Sequence, residues 1–221
     1  MLLVDLPRTE YGEALRIQRA VVERKILRGG PDVIFLLEHG PTITIGKRGD
    51  ESDLFLRKAD LAGRGIAVHQ VDRGGGTTYH GPGQLVCYPI VDLKSANFRI
   101  RRFVESLEET IIRALKHFSV EGFHQKGRVG VWIGPNEKIA SIGLRIVRRM
   151  STHGFSLNVS LDMDPGDLIV SCGLEDVRIV DMEQTIGRAV DMESVKDAVA
   201  RAYSEVFEVF LERSSLERAI R

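Results

Sequence analysis

Three stretches of helical periodicity lie far apart in this chain, and the segments between them read as strands. In residues 10–28, Ala14, Ile17 and Val21 fall on one face with Val22 and Ile26 one step round, and Gly29 supplies a stop. In 101–118 the stripe is Val104, Leu107, Ile111, Ala114, Leu115 and Phe118. In 194–211 it is Val195, Val199, Ala202, Val206 and Phe210, with Ser194 placed to cap the first turn. Core packing explains all three stripes. Strands are expected at 33–38, 42–46, 67–71, 84–93, 129–133, 138–147 and 155–160. Gly134-Pro135-Asn136-Glu137 reads as the turn of an antiparallel pair. The order of helix, several strands, helix, several strands, helix excludes a regular βαβ alternation. It predicts an α+β fold with a mixed, mainly antiparallel sheet flanked by helices. No linker, repeat or low-complexity segment interrupts it, so a single domain over 1–221 is expected, fraying across 213–221.

Composition removes several function classes. At 221 residues the chain can bury a sizeable core. Lys and Arg number 31 and so do Asp and Glu, whereas general nucleic-acid binding needs a basic excess. Two cysteines, Cys87 and Cys172, are too few for a disulfide scaffold or a four-thiolate zinc site, and they form no CxxC pair. His39, His69, His80, His117, His124 and His153 show no metal-ligand spacing, so no metal is expected. The apolar start, residues 1–4, soon meets Asp5, Pro7, Arg8 and Glu10, unlike a signal peptide. No apolar run is long enough for a membrane span, and a cytoplasmic protein with reduced thiols is expected.

Residues 73–84, Arg-Gly-Gly-Gly-Thr-Thr-Tyr-His-Gly-Pro-Gly-Gln, hold five glycines within ten positions and run straight into an apolar strand. Glycine permits positive φ and close approach of a ligand to the backbone. No Gly-Lys-Ser/Thr follows, which excludes a Walker A loop, and the exit into a strand excludes a dinucleotide fingerprint. Two readings remain: a wide turn between strands, or a loop that lines a substrate, with Arg73, Tyr79 and His80 as polar contacts.

The two cysteines differ in setting. Cys87 sits in the apolar run Gln-Leu-Val-Cys-Tyr-Pro-Ile-Val and reads as core. Cys172 follows Leu168-Ile169-Val170 and precedes Gly173, where a thiol is either a nucleophile facing a pocket or an ordinary loop thiol. A reactive thiol needs a neighbouring base or cation, and His80, His153 and Lys138 are the candidates. Strict alternation puts Lys138 at the head of an apolar row with Ala140, Ile142, Leu144 and Ile146, opposite Ile139, Ser141, Gly143, Arg145 and Val147. There it is either a partly desolvated functional group or a strand-end lysine reaching to water. Small residues in 140–143, and the alternation of Phe155, Leu157 and Val159 with Ser156, Asn158 and Ser160, leave space beside strands that suits an acyl chain.

Taken in order, segment 73–84, Gly-Val-Trp at 130–132, Lys-Ile-Ala-Ser-Ile-Gly at 138–143, His-Gly-Phe-Ser-Leu-Asn at 153–158 and Ser-Cys-Gly-Leu at 171–174 resemble the lipoyl(octanoyl) transferase family. The likeness covers roughly residues 30 to 185, and the glycine segment is its most specific element. The chain departs from the family pattern at Ser171, where a proline is usual. The resemblance implies a biotin/lipoate-protein-ligase-like fold. It also implies cofactor-free transfer of an octanoyl group from octanoyl-acyl carrier protein to a lysine of lipoyl domains, those of 2-oxoacid dehydrogenase complexes and of the glycine cleavage system, with no nucleic acid or membrane involved. Cys172 is then the acyl-accepting nucleophile and Lys138 its partner. Arg73, Gly74, Gly75, Gly76, Thr77, Thr78, Tyr79, His80, Ser141, Ile142, Gly143, Gly154, Phe155 and Ser156 are the implied acyl-substrate residues. An ATP-dependent lipoate or biotin ligase of the same fold, and a non-catalytic acyl- or lipoyl-domain-binding module, remain as alternatives.

The zero net charge hides an asymmetry. Residues 94–149 hold 12 basic and 5 acidic residues, and 150–193 hold 2 basic and 9 acidic. The basic stretch, with Arg99, Arg101, Arg102, Arg145, Arg148 and Arg149, is either a docking surface for an acidic carrier protein or a set of solvated faces.

Overall fold

Apolar residues at both helical and alternating spacing sort this chain into a sheet with helices on its two faces. The structure is a computed structural model that describes residues 1–170 and 177–221. Its elements are β1 (Leu2–Asp5), α1 (Tyr11–Arg28), β2 (Val33–Leu37), β3 (Thr42–Ile45), α2 (Lys58–Gly63), β4 (Ala67–Gln70), β5 (Thr77–His80), β6 (Gln84–Ile90) and α3 (Ile100–His117). They continue with β7 (Phe123–Gln125), β8 (Arg128–Gly134), β9 (Glu137–Val147), β10 (Met150–Asn158), β11 (Arg178–Ile179), α4 (Met182–Ile186), α5 (Met192–Phe207), β12 (Glu212–Arg213) and α6 (Leu216–Ile220). The large sheet runs β12-β1-β2-β6-β10-β9-β8-β7, with β11 beside β9, and β4-β3-β5 form a small second sheet. Pairings β1–β2, β1–β12, β9–β11 and β3–β4 are parallel and the others antiparallel, which gives the mixed, mainly antiparallel α+β architecture the sequence order implies.

Alternation within β6 divides the core. Leu85 and Cys87 face α3 and α5, where Phe103, Leu107, Ile111, Val195, Val199 and Tyr203 close over them. Val86, Tyr88 and Ile90 face α1 with Ala14, Ile17 and Val21. Cys87 is fully buried and burial pushes its thiol well above the ordinary range, as expected of a core cysteine. A third cluster, Ile43, Leu61, Ile66, Tyr79, Leu168 and Ile169, joins the small sheet to α2.

Several local expectations change. The cap of α5 is Asp191, not Ser194: its carboxylate accepts from the Ser194 amide at 2.8 Å and hydroxyl at 2.7 Å, because the helix starts one turn earlier. That helix ends at Phe207, and Glu208 takes a φ of 53°, so Phe210 falls outside the stripe and is exposed. The C-terminal residues do not fray. β12 pairs with β1, and α6 buries Ala219 against the α1 face. The glycine segment is not one loop, since its middle residues, Thr77–His80, form β5 on β3. Among the described residues no helix is long and apolar enough to cross a membrane.

Candidate active site

A cavity of about 420 Å³ opens along β9 and β10 beneath the glycine segment. Lys138 stands at one end of it, on the face opposite to the one strict alternation assigns. Trp132 pairs with Lys138 and Val131 with Ala140, so the register shifts between them. Ile139 and Ala140 both enter the core, and Lys138 turns to the side of Ser141 and Gly143. The bulge, not the row of Ile142, Leu144 and Ile146, therefore decides what surrounds it. Lys138 is 4% exposed, and its Nζ lies 5.4 Å from the centre of the Trp132 ring. Arg128 approaches the same indole at 5.4 Å. Gly130 makes this arrangement possible: at a φ of 120°, a Cβ there would stand 2.6 Å from Lys138 Cε. Glu108 fixes that backbone by accepting from the Gly130 amide at 2.8 Å.

Arg73 leads the glycine segment across the cavity. It is buried, and its guanidinium donates to Thr44 Oγ1 at 2.7 Å and to the Thr44 carbonyl at 2.8 Å. The Gly74 amide donates to the Leu144 carbonyl at 2.9 Å. This close approach needs the absent side chain at Gly143, whose Cβ would lie 2.9 Å from the Gly74 carbonyl oxygen. Beyond it, β5 alternates. Thr78 and His80 line the cavity. Thr77 turns away to donate to Asp53 at 2.6 Å, and Tyr79 packs in the third cluster and donates to Asp162 at 3.0 Å.

At the far end, rings from five elements and the β2–β3 loop meet. Tyr11 lies 5.1 Å from His39, 5.3 Å from His69 and 5.8 Å from His80, and Tyr88 lies 6.5 Å from His153. Hydrogen bonds set the tautomers. The Thr9 carbonyl can only accept, so His39 donates from Nδ1 at 2.6 Å and accepts from Tyr88 at Nε2, 2.8 Å away. Gln84 gives its amide hydrogens to the Tyr79 carbonyl and to Asn158 Oδ1, so its Oε1 accepts from His80 Nδ1 at 2.7 Å. That leaves Nε2 unprotonated on a ring that lines the cavity. His153 donates to Asp72 at 3.3 Å and accepts from the Tyr11 hydroxyl at 3.5 Å. Its φ of 58° breaks the pleat of β10, and its ring joins these residues while Phe155 and Leu157 stay with the core. Burial lowers His39 to about 4 and His153 to about 3, the latter helped by Arg73, and holds His80 well below the ordinary range. Burial likewise raises Tyr11 to about 12. His39, His80 and His153 are thus neutral and hydrogen-bonded, beside the Arg73 guanidinium and the Asp72 carboxylate. Leu144 pairs with His153 six residues along β9 from Lys138, so the two ends lie about 15–20 Å apart at the usual strand rise.

Of the residues expected to meet an acyl substrate, Arg73, Gly75, Gly76, Thr78, His80, Ser141, Ile142, Gly143, Gly154, Phe155 and Ser156 line this cavity together with Lys138. Gly74 shapes it through the backbone, while Thr77 and Tyr79 are directed elsewhere by the alternation of β5. Cys172 and its neighbour Ser171 lie outside the described residues. Tyr11, His39, Tyr88, Trp132 and Gly130 were not expected here. The helical stripe could have flagged Tyr11, three positions before Ala14, and alternation from Cys87 could have flagged Tyr88. His39 carries no such signal. Among the described residues no group of three or more His, Cys, Asp or Glu side chains could hold a metal ion.

Comparison with known proteins narrows the chemistry. The family model described as "Lipoyl protein ligase A/B catalytic domain" matches residues 10–204. An octanoyltransferase from Alkaliphilus metalliredigens is 39% identical over 206 residues, covering 93% of this chain and 94% of the relative. One from Caldicellulosiruptor bescii is 41% identical over 209 residues, covering 91% and 89%. In three dimensions, the bi-partite lipoate protein ligase of Thermoplasma acidophilum superposes with a TM-score of 0.78 over 100% of this chain and 90% of its own, at 15% identity. That last likeness establishes the shared fold.

Proposed function

Because this chain belongs to the lipoyl protein ligase A/B catalytic-domain family, with relatives named octanoyltransferase at 36–41% identity over nearly its full length, we propose that it is an octanoyltransferase of protein lipoylation, built as one catalytic domain. It takes an octanoyl group from an acyl donor and passes it to a lipoyl domain. The donor is octanoyl-acyl carrier protein. The acceptors are the lipoyl domains of 2-oxoacid dehydrogenase complexes and of the glycine cleavage system, in the cytoplasm.

Cys172 is the nucleophile. Its Sγ attacks the donor thioester, its proton passes to Lys138 Nζ, and Lys138 returns that proton to the departing carrier thiol. Lys138 then takes a proton from the acceptor lysine as its nitrogen attacks the acyl-enzyme, and the Cys172 thiolate is reprotonated as it leaves. Thioester exchanges for thioester in the first step, so no ATP is needed, and amide formation drives the second. The acyl chain lies along β9 and β10, with Ser141, Ile142, Gly143, Gly154, Phe155 and Ser156 on one wall and Arg73, Gly75, Gly76, Thr78 and His80 on the other. The observation that carries the reading is the place of Lys138: buried, held over Trp132, and facing the cavity that runs along β9 and β10.

The test is donor dependence. Octanoyl-acyl carrier protein and a lipoyl domain, mixed with the protein without ATP, should give an octanoylated domain. A requirement for ATP, with pyrophosphate released from free octanoate, would assign the chain to the ligases instead.

A further inference from the structure

A second groove, of about 610 Å³, lies beside the cavity between the first half of α3 and the β7–β8 turn, sharing Gly127, Arg128 and Val129 with it. Its carboxylates are already committed. Glu105 pairs with Arg101 at 2.9 Å, and Glu108 accepts from the Gly130 amide and meets His124 at 3.0 Å. Two cations on the turn are not so committed: neither Lys126 nor Arg128 has a carboxylate within salt-bridge distance among the described residues. Beside them Val129 is 47% exposed and Phe123 40% exposed on the end strand of the large sheet. In contrast, Arg145 and Arg149, also within the basic stretch, are bound to Asp72 and Asp92.

We propose that this groove receives the arm of the acyl donor, with Lys126 and Arg128 holding the phosphodiester that joins the arm to an acidic carrier protein. The inference rests on the octanoyl-transfer reading and adds where the donor docks. Three observations select the donor over the lipoyl-domain acceptor. The groove adjoins the acyl cavity through Gly127, Arg128 and Val129, as a thioester on a long arm requires. A lysine side chain is too short to need such an approach. Two unneutralised cations flank an exposed apolar spot, which complements an acidic protein carrying a phosphodiester. Arg128 also stacks on the Trp132 ring that holds Lys138, so an anion drawn to Arg128 is brought to the mouth of the chemistry.

The test compares two donors in the full-length protein: octanoyl-acyl carrier protein, and octanoyl-N-acetylcysteamine, which has neither phosphate nor carrier. For Lys126→Glu, and for Lys126→Glu with Arg128→Gln, KM for the carrier-bound donor should rise about tenfold or more, as reversal of a docking charge does. In Lys126→Glu alone, kcat/KM for the small thioester and KM for the lipoyl domain should stay within about twofold. Loss of the steep salt dependence of the carrier reaction should accompany this. Equal losses with both donors would overturn the proposal in favour of a structural role for the turn. A raised KM for the lipoyl domain alone would assign the groove to the acceptor, and unchanged constants would also overturn the docking site while leaving octanoyl transfer intact. A wild-type protein that uses neither donor would instead overturn the functional reading, and the docking proposal with it.

Discussion

The two ends of the cavity are built on opposite plans. At the Trp132 end, a lysine is buried against an aromatic face, in space left by a glycine and turned inward by a bulge. At the Tyr11 end, three neutral histidines and two tyrosines share hydrogen bonds among themselves and with Thr9, Gln84 and Asp72. Both ends are polar; the first presents an amine to the substrate space, and the second presents histidine and tyrosine rings beside Arg73 and Asp72. A ring network whose members satisfy one another can wall off the end of an acyl chain without attracting an ion or donating a proton to it. Polar character alone therefore does not mark the reactive end; at the Tyr11 end the rings spend their hydrogen bonds on one another and on Thr9, Gln84 and Asp72.

Substitutions should separate the two plans. Lys138→Ala should lower kcat for octanoyl transfer by about 10²–10⁴, the range of proton-transfer catalysis, while costing about 1 kcal/mol or less of stability. Rates measured beside urea unfolding would check this, and a rate near wild type would remove Lys138 from the chemistry. Tyr88→Phe should do the reverse. It leaves His39 Nε2 a buried acceptor without its donor, which costs about 1–3 kcal/mol in urea unfolding, while kcat changes by less than about threefold. A large fall in kcat at unchanged stability would show that the ring network is part of the reacting centre.

The pH dependence of stability is the smallest and most diffuse effect. His39 and His153 are lowered to about 4 and about 3, so between the ordinary histidine value and those values the unfolded chain binds protons that the folded chain refuses. Their contribution is complete above about pH 6.5 and is lost as pH falls toward 4, by up to about 1.4 kcal/mol per pH unit for each ring. Unfolding free energy measured from pH 7 to pH 5 should fall accordingly, and His39→Asn should flatten the slope. A slope unchanged by that substitution would mean that His39 is not held neutral.

Much of this was legible in the chain itself. Periodicity marked the three long helices, and Gly134-Pro135-Asn136-Glu137 marked the β8–β9 turn, because burial and turn geometry act over a few neighbouring residues. The face of Lys138 was not legible. Period-two alternation holds only while the ladder is regular, and the bulge opposite Trp132 cancels it with no local signature in 138–140. His153 escaped for the same reason, through its positive φ. The ring cluster joins residues 11, 39, 80, 88 and 153, and such contacts are made by tertiary packing, not by spacing. Asp191 displaced Ser194 as a cap because either side chain can serve and only the start of α5 decides between them.

The central claim is a covalent octanoyl-enzyme on Cys172. Intact-mass analysis after mixing the protein with octanoyl-acyl carrier protein, without ATP, tests it most directly. The account predicts one octanoyl adduct, mapped by peptide fragmentation to Cys172, lost in Cys172→Ala and discharged when a lipoyl domain is added. An adduct that persists in Cys172→Ala, or transfer to the lipoyl domain by that variant at an undiminished rate, would contradict it.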